Sequence, residues 1–287
     1  MKTQTFQLTT LSQSSLQDYM DCAQRFKLRY LDRLSYPAVE TEPALENEKH
    51  QQEGEYFHRL VQQHLIGIPA EQVAKFANTP TLQKWWENFQ TAKDLTGLRE
   101  ILGRRSEMAG DLSGLYPEAN LSAPLGNYRL LAKYDLIAIR DDKVTIYDWK
   151  TYRKRPRNEW LSARMQTRVY RALLVQAGSH LNKGQPFEPE QIEMVFWFAD
   201  FPDDPDRFSY TSLQFTRDWD SLRRVSDELA TASSYPLTDD RQKCLVCTYR
   251  SYCERGIQAG DMEQAEAERD AEELFDVNFE QIGEIAF

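Results

Sequence analysis

The chain has 287 residues, enough for a large buried core, and 41% of them are hydrophobic, the share typical of a water-soluble globular protein. Its 35 basic and 45 acidic residues give a net charge of −10, but ten of the acidic residues and a single arginine fall from Asp261 onward, so the first 260 residues stand at −1 and charge alone does not exclude nucleic acid. The longest apolar run, Met194 to Ala199, is too short for a membrane span, and MKTQTFQLTTLSQ lacks a signal-peptide core; a cytoplasmic protein with no membrane partner is expected, in whose reducing surroundings four cysteines are poor disulfide formers.

Taken in chain order, LSQSSLQDYMDCAQRFKLRYLDRL predicts a helix with Ser12 or Ser14 as its N-cap. EGEYFHRLVQQHLI, residues 53–66, predicts a second, and two more follow near 70–77 and 81–94, a helical part covering about 10–110. Near Tyr116 the pattern changes to alternation, broken at Gly126-Asn127 and Asp141-Asp142, which predicts a three-strand antiparallel meander with two-residue turns. A helix from Asn158 to Ala177, strands near 191–199 and 207–215 and a helix near 216–232 come next. The expected fold is α/β: a mixed sheet at about 115–215 (meander, helix, further strand) with an N-terminal helical layer, in one domain over 1–260. A cysteine loop at 244–253 and an acidic tail at 261–287 close the chain. Basic clusters at Arg104-Arg105, Lys150 to Arg157, and Arg164, Arg168 and Arg171 each read, singly, as solvated faces.

The turns fix the register. If Asp141-Asp142 is a two-residue loop, Asp135 lies opposite Asp148; if Gly126-Asn127 is another, Glu118 lies opposite Asp135. Three carboxylates then form one row with neighbouring Cβ atoms about 5 Å apart. Like charges side by side destabilise a sheet, and a hard cation such as Mg²⁺ or Mn²⁺ would remove the conflict. Lys150, two residues beyond Asp148, shares its face. The alternative is an exposed charged face with no metal, which sits poorly with apolar flanks such as Leu136, Ile137 and Ile146. Two acids, a lysine and a metal are the outline of a phosphodiester nuclease, although D-x-K alone is a weak motif.

These residues resemble the PD-(D/E)XK nuclease superfamily with its restriction-endonuclease-like sheet, and more narrowly its RecB-like branch. GEYFHRL matches the family's G-x-x-x-H motif at Gly54 and His58, and QTRVY matches Q-x-x-x-Y at Gln166 and Tyr170. DYMDCAQRFKLRYL is similar to the family's first helix, and the cysteines, spaced C-x221-C-x2-C-x5-C, follow its iron–sulfur subgroup. The resemblance implies a metal-dependent deoxyribonuclease, an exonuclease on single strands or duplex ends, with His58, Asp135, Asp148 and Glu118 toward the metal and Lys150 at the reacting phosphate. It implies that Gln166 and Tyr170 face the site, and that Cys22, Cys244, Cys247 and Cys253 hold a [4Fe–4S] cluster, structural zinc being the alternative. The implied partners are DNA and a helicase, recombination or CRISPR-adaptation protein, in repair or adaptation. Asp148 departs from the Glu common in this branch, the acidic tail has no counterpart, and no P-loop is present. A nuclease-fold DNA-binding or assembly subunit is the alternative from another class, and an electron carrier a third. Arg153, Lys154, Arg155 and Arg157 are expected near phosphates, and Tyr147, Trp149 and Tyr152 in packing; His50, His64 and His180 read as ordinary histidines.

Overall fold

The protein is described from a computed structural model covering residues 8–35, 44–107, 114–140, 142–245 and 247–256. The acidic tail, Asp141 and the side chains of Arg104 and Arg105 lie outside the described residues.

The meander forms as β2 (Leu115–Leu125), β3 (Tyr128–Arg140) and β4 (Lys143–Lys150). Leu125 pairs with Tyr128 and Arg140 with Lys143, so both connections are the expected two-residue turns. Gly126 opens the first with φ of +58°, where a Cβ would also stand 2.6 Å from Ser226 Oγ; only glycine suits both conditions. After two helices, β5 (Ile192–Phe198) returns parallel to β4, and β6 (Phe201–Ser209) folds back on β5. This last strand lies earlier than the expected 207–215. Pro202 and Pro205 read as loop residues, yet β6 is an edge strand, where a missing N–H costs no ladder bond. A two-residue strand that the sequence pattern does not reveal, β1 (Thr10–Leu11), pairs parallel to β3 and completes the six-stranded sheet.

Ser12 caps α1 (Gln13–Asp21) in a reciprocal pair with Ser15. The expected single helix breaks at Cys22, which is extended, and resumes as α2 (Ala23–Phe26) and a π-helical turn to Leu31. Next come α3 (Ala44–Leu65), the short α4 (Ala70–Val73), α5 (Pro80–Thr91) and α6 (Thr96–Glu107), the last a further helix within the helical part expected over 10–110. The helix expected over 158–177 is interrupted at extended Arg164 into α7 (Asn158–Ala163) and α8 (Met165–Ala177). Thr211 caps α9 (Ser212–Thr231), and α10 (Arg241–Leu245) leads into the cysteine loop. One sheet face packs on α1, α8 and α9 through Leu16, Leu173 and Leu222; the other packs on α3, α5 and α6 through Phe57, Trp85 and Leu98. This is the α/β, restriction-endonuclease-like architecture expected. No helix among the described residues is long and apolar enough to cross a membrane.

Two irregularities of β3 create the site. β2 runs along one edge of β3; the other is shared by β1, opposite Arg129 and Leu130, and β4, from Leu136 to Arg140. Between them the sheet forks, and Asp135 stands at the fork. The alternation of faces also slips there. Tyr134 faces the α8 side and Leu136 the α3 side, whereas regular pleating would place both alike. The partner strand slips in step: Pro117 pairs with Leu136 and Ala119 with Tyr134, leaving Glu118 between them with φ of +55°. A non-glycine residue in that left-handed region is strained by about 1–3 kcal/mol.

Candidate active site

Because β4 has left β3 at the fork, the Asp135 carboxylate replaces the lost ladder bond: its Oδ2 accepts from the Trp149 backbone N–H at 2.7 Å. Its Oδ1 lies 3.3 Å from Nδ1 of His58, which α3 delivers from the far layer. Burial pushes the Asp135 carboxyl up, but the His58 ring, the Trp149 N–H and the Lys150 ammonium outweigh it and hold it below the ordinary carboxylate range.

Asp148 and Lys150 follow on β4 and face α8. Both are buried, at 1% and 4% exposure. Lys150 Nζ lies 2.7 Å from Asp148 Oδ2. The Gln166 amide joins them: its Oε1 accepts from Lys150 Nζ at 3.1 Å, and its Nε2 donates to Asp148 Oδ1 at 2.7 Å. Interruption of the helix at Arg164 puts Gln166 in the first turn of α8, directly over the end of β4. The fork thus gathers Asp135, Asp148, Lys150, Gln166 and His58. Glu118 keeps the register position opposite Asp135, but its carboxylate is engaged with Lys133. Among the described residues, no three His, Cys, Asp or Glu side chains converge as a formed metal site. The donor chemistry nevertheless suits a hard cation: two buried carboxylates, Asp135 and Asp148, stand at the fork with a ring nitrogen of His58 beside the first.

Residues 10–254 match the PD-(D/E)XK nuclease superfamily. The chain belongs to that nuclease superfamily. Solved structures similar to it include the "Putative exonuclease" of Eubacterium rectale, at 10% identity and a TM-score of 0.46 over 89% of this chain and 92% of that one. Another is SSO0001, at 12% identity and a TM-score of 0.39 over 88% and 89%. No curated protein matches the sequence.

Other residues of this PD-(D/E)XK chain take places that spacing does not reveal. The Tyr170 hydroxyl donates to the Lys133 backbone carbonyl at 2.7 Å and accepts from Gln13 at 3.4 Å, so it braces β3 beside the fork. Of the residues expected near phosphates, Arg155 is taken up by Asp204 and Asp206, while Arg153 and Arg157 are exposed. The Arg164, Arg168 and Arg171 series is no solvated face. Arg164 stacks on Trp160, Arg168 reaches Asp218 at 3.7 Å, and buried Arg171 holds Ser209 O at 3.0 Å. Tyr147, Trp149 and Tyr152 are buried in packing. His50 is a structural tie. Its Nε2 donates to the Thr151 carbonyl at 2.8 Å, fastening the residue after Lys150 to α3. Gly54 lies one turn on, where a Cβ would stand 2.9 Å from Thr151 Oγ1. The i, i+4, i+8 spacing of His50, Gly54 and His58 was the available signal for this shared face.

Cys22, Cys244, Cys247 and Cys253 line one small cavity, and no disulfide joins them. Burial pushes the Cys253 thiol up, and the neighbouring Cys247, Cys22 and Cys244 sulfurs push it further. As at the fork, no three of these side chains converge as a formed metal site among the described residues, although four cysteines are a donor set of the kind that iron–sulfur clusters and zinc take.

Proposed function

We propose that this chain is a metal-dependent deoxyribonuclease of the RecB-like branch, an exonuclease on single strands or duplex ends. The observation that carries the reading is the gathering of Asp135, Asp148, Lys150 and Gln166 at the fork of the sheet. Mg²⁺ or Mn²⁺, bound by Asp135, Asp148 and His58 with Glu118 in support, would polarise the phosphate and lower the pKa of a bound water. Lys150 places its ammonium where charge develops on the phosphate, and Gln166 fixes both that ammonium and Asp148. Tyr170 keeps β3 in place under them. The apolar surroundings of Lys150, with Phe196 at 5.3 Å, strengthen its field by excluding water.

The four cysteines would hold a [4Fe–4S] cluster, or zinc in its place, as a staple between the first helix and the C-terminal loop. The nuclease domain would span 1–260, with 261–287 an appended acidic tail and a helicase, recombination or CRISPR-adaptation protein as partner. End-labelled single- and double-stranded DNA, incubated with anaerobically purified protein, tests the reading. Cleavage from ends is expected with Mn²⁺ and none with chelator. Lys150→Ala should lose about 3 kcal/mol of transition-state stabilisation, roughly a hundredfold in rate. Wild-type protein that binds DNA but leaves it intact with Mn²⁺ would instead be a nuclease-fold binding subunit.

A further inference from the structure

A second concavity of about 570 Å³ lies between α3, α5 and the segment after β4, within the range of pockets that take small-molecule or nucleotide-sized ligands, roughly 300–1,000 Å³. Its walls carry Lys49, Glu53, Lys84, Trp85, Arg153 and Asp200. Lys84 is paired with Asp200 at 2.6 Å. Lys49 and Arg153, both exposed, then stand against Glu53 alone, and neither makes an ion pair among the described residues. Trp85 is fully buried, and its indole N–H has no acceptor among the described residues. That N–H is closed off from the groove as well, so Trp85 serves as the groove's apolar floor and the two cations set the preference for an anionic ligand. The groove shares its frame with the candidate active site. Helix α3 presents His58 at Asp135 and, two turns earlier, His50 in the groove wall. Arg153 stands three residues past Lys150 on the segment that His50 fastens to α3.

We propose that this groove receives one strand of DNA next to the phosphate being cut, with Lys49 and Arg153 on its phosphates; this rests on the nuclease reading above. Two charges on an exposed groove add affinity without reading sequence, so the signature is electrostatic. The test is binding of labelled oligothymidylates of graded length to the full-length protein in chelator, titrated with salt, beside cleavage by the wild type in Mn²⁺. In the double variant Lys49→Glu/Arg153→Glu, the slope of log K against log salt should shrink by about 0.7 for each phosphate that is no longer neutralised. Affinity for the longer oligomers should fall about tenfold or more, and that for the shortest much less. Lys183→Glu, a charge reversal on the exposed turn after α8, should keep the wild-type slope. A wild-type slope in the double variant, or an equal loss at Lys183, overturns the groove while leaving the nuclease intact. A wild type that neither binds nor cuts DNA overturns both.

Discussion

His58 and Asp135 decide how the site behaves before any metal arrives. Asp135 is buried and held below its ordinary pKa, chiefly against its own burial and by His58. A carboxyl whose folded pKa is depressed stabilises the fold above its unfolded pKa of about 3.9, and loses that contribution as pH falls through the folded value. The metal-free protein should therefore lose Tm on acidification through and below the carboxylate range. In His58→Ala, burial of Asp135 is no longer offset by its main partner, so its pKa rises. That variant should have a lower Tm at neutral pH and a flatter or inverted dependence between roughly pH 6 and 4. Differential scanning calorimetry across that range checks it; parallel curves for the two proteins would mean that the His58 contact contributes nothing. The hairpin register from Arg140 with Lys143 to Leu136 with Tyr147 could be counted from the sequence, because a two-residue turn fixes it. The expected next pair, Asp135 with Asp148, does not form, because the sheet forks there and Asp135 bonds the Trp149 N–H instead. The engagement of Glu118 with Lys133 could not be counted either, because it follows from a left-handed backbone that the residue type does not announce.

At the scale of elements, the crossing of α3 over the end of β4 sets the distance between His58 and Lys150. Gly54 makes this crossing close, with Thr151 Oγ1 2.9 Å from where a Cβ would be. Gly54→Ala should force the helix outward or displace Thr151, and overpacking of this kind costs about 1–3 kcal/mol. Cleavage should fall with stability, and a second change, Thr151→Ala, should restore both by removing the atom that clashes. Rates and Tm of the single and double variants form the cycle; no coupling between the two positions would place the effect elsewhere. Most elements were legible because their periodicity agrees with their environment: α3 and α5 have one buried face, and the meander alternates. The exceptions share a cause. The break at Cys22, the break at Arg164, the proline-bearing edge strand β6 and the two-residue β1 are all fixed by tertiary neighbours that a local pattern does not contain.

Across the whole molecule, the two ends of the described chain are bound to each other. Gln24 N–H donates to Pro236 O at 3.1 Å, Tyr249 and Tyr252 donate to the Leu34 and Ser35 carbonyls at 2.9 and 3.3 Å, and Lys243 pairs with Asp21 at 2.9 Å. The four thiols sit at this junction. If they hold a cluster, a cross-link over so long a loop would be worth about 5 kcal/mol in the chain-entropy model. Cys22→Ala should then strip iron from anaerobically purified protein and lower the Tm of the entire fold in one transition, read by metal analysis and calorimetry. Stoichiometric zinc and no sulfide in the wild type would identify the staple as zinc. The same junction sets an order of assembly. The segment around Cys22 leaves the ribosome well before its partners from Pro236 to Cys253, which follow more than two hundred residues later. During synthesis the Cys22 segment must wait for the last part of the domain, from which Tyr235 stacks on Phe26. Helix α1 itself can seat on α8 earlier, through Gln17 on Met165 and Gln13 on Tyr170, so the cysteine junction is the last part of the domain to close, after every residue gathered at the fork has been made.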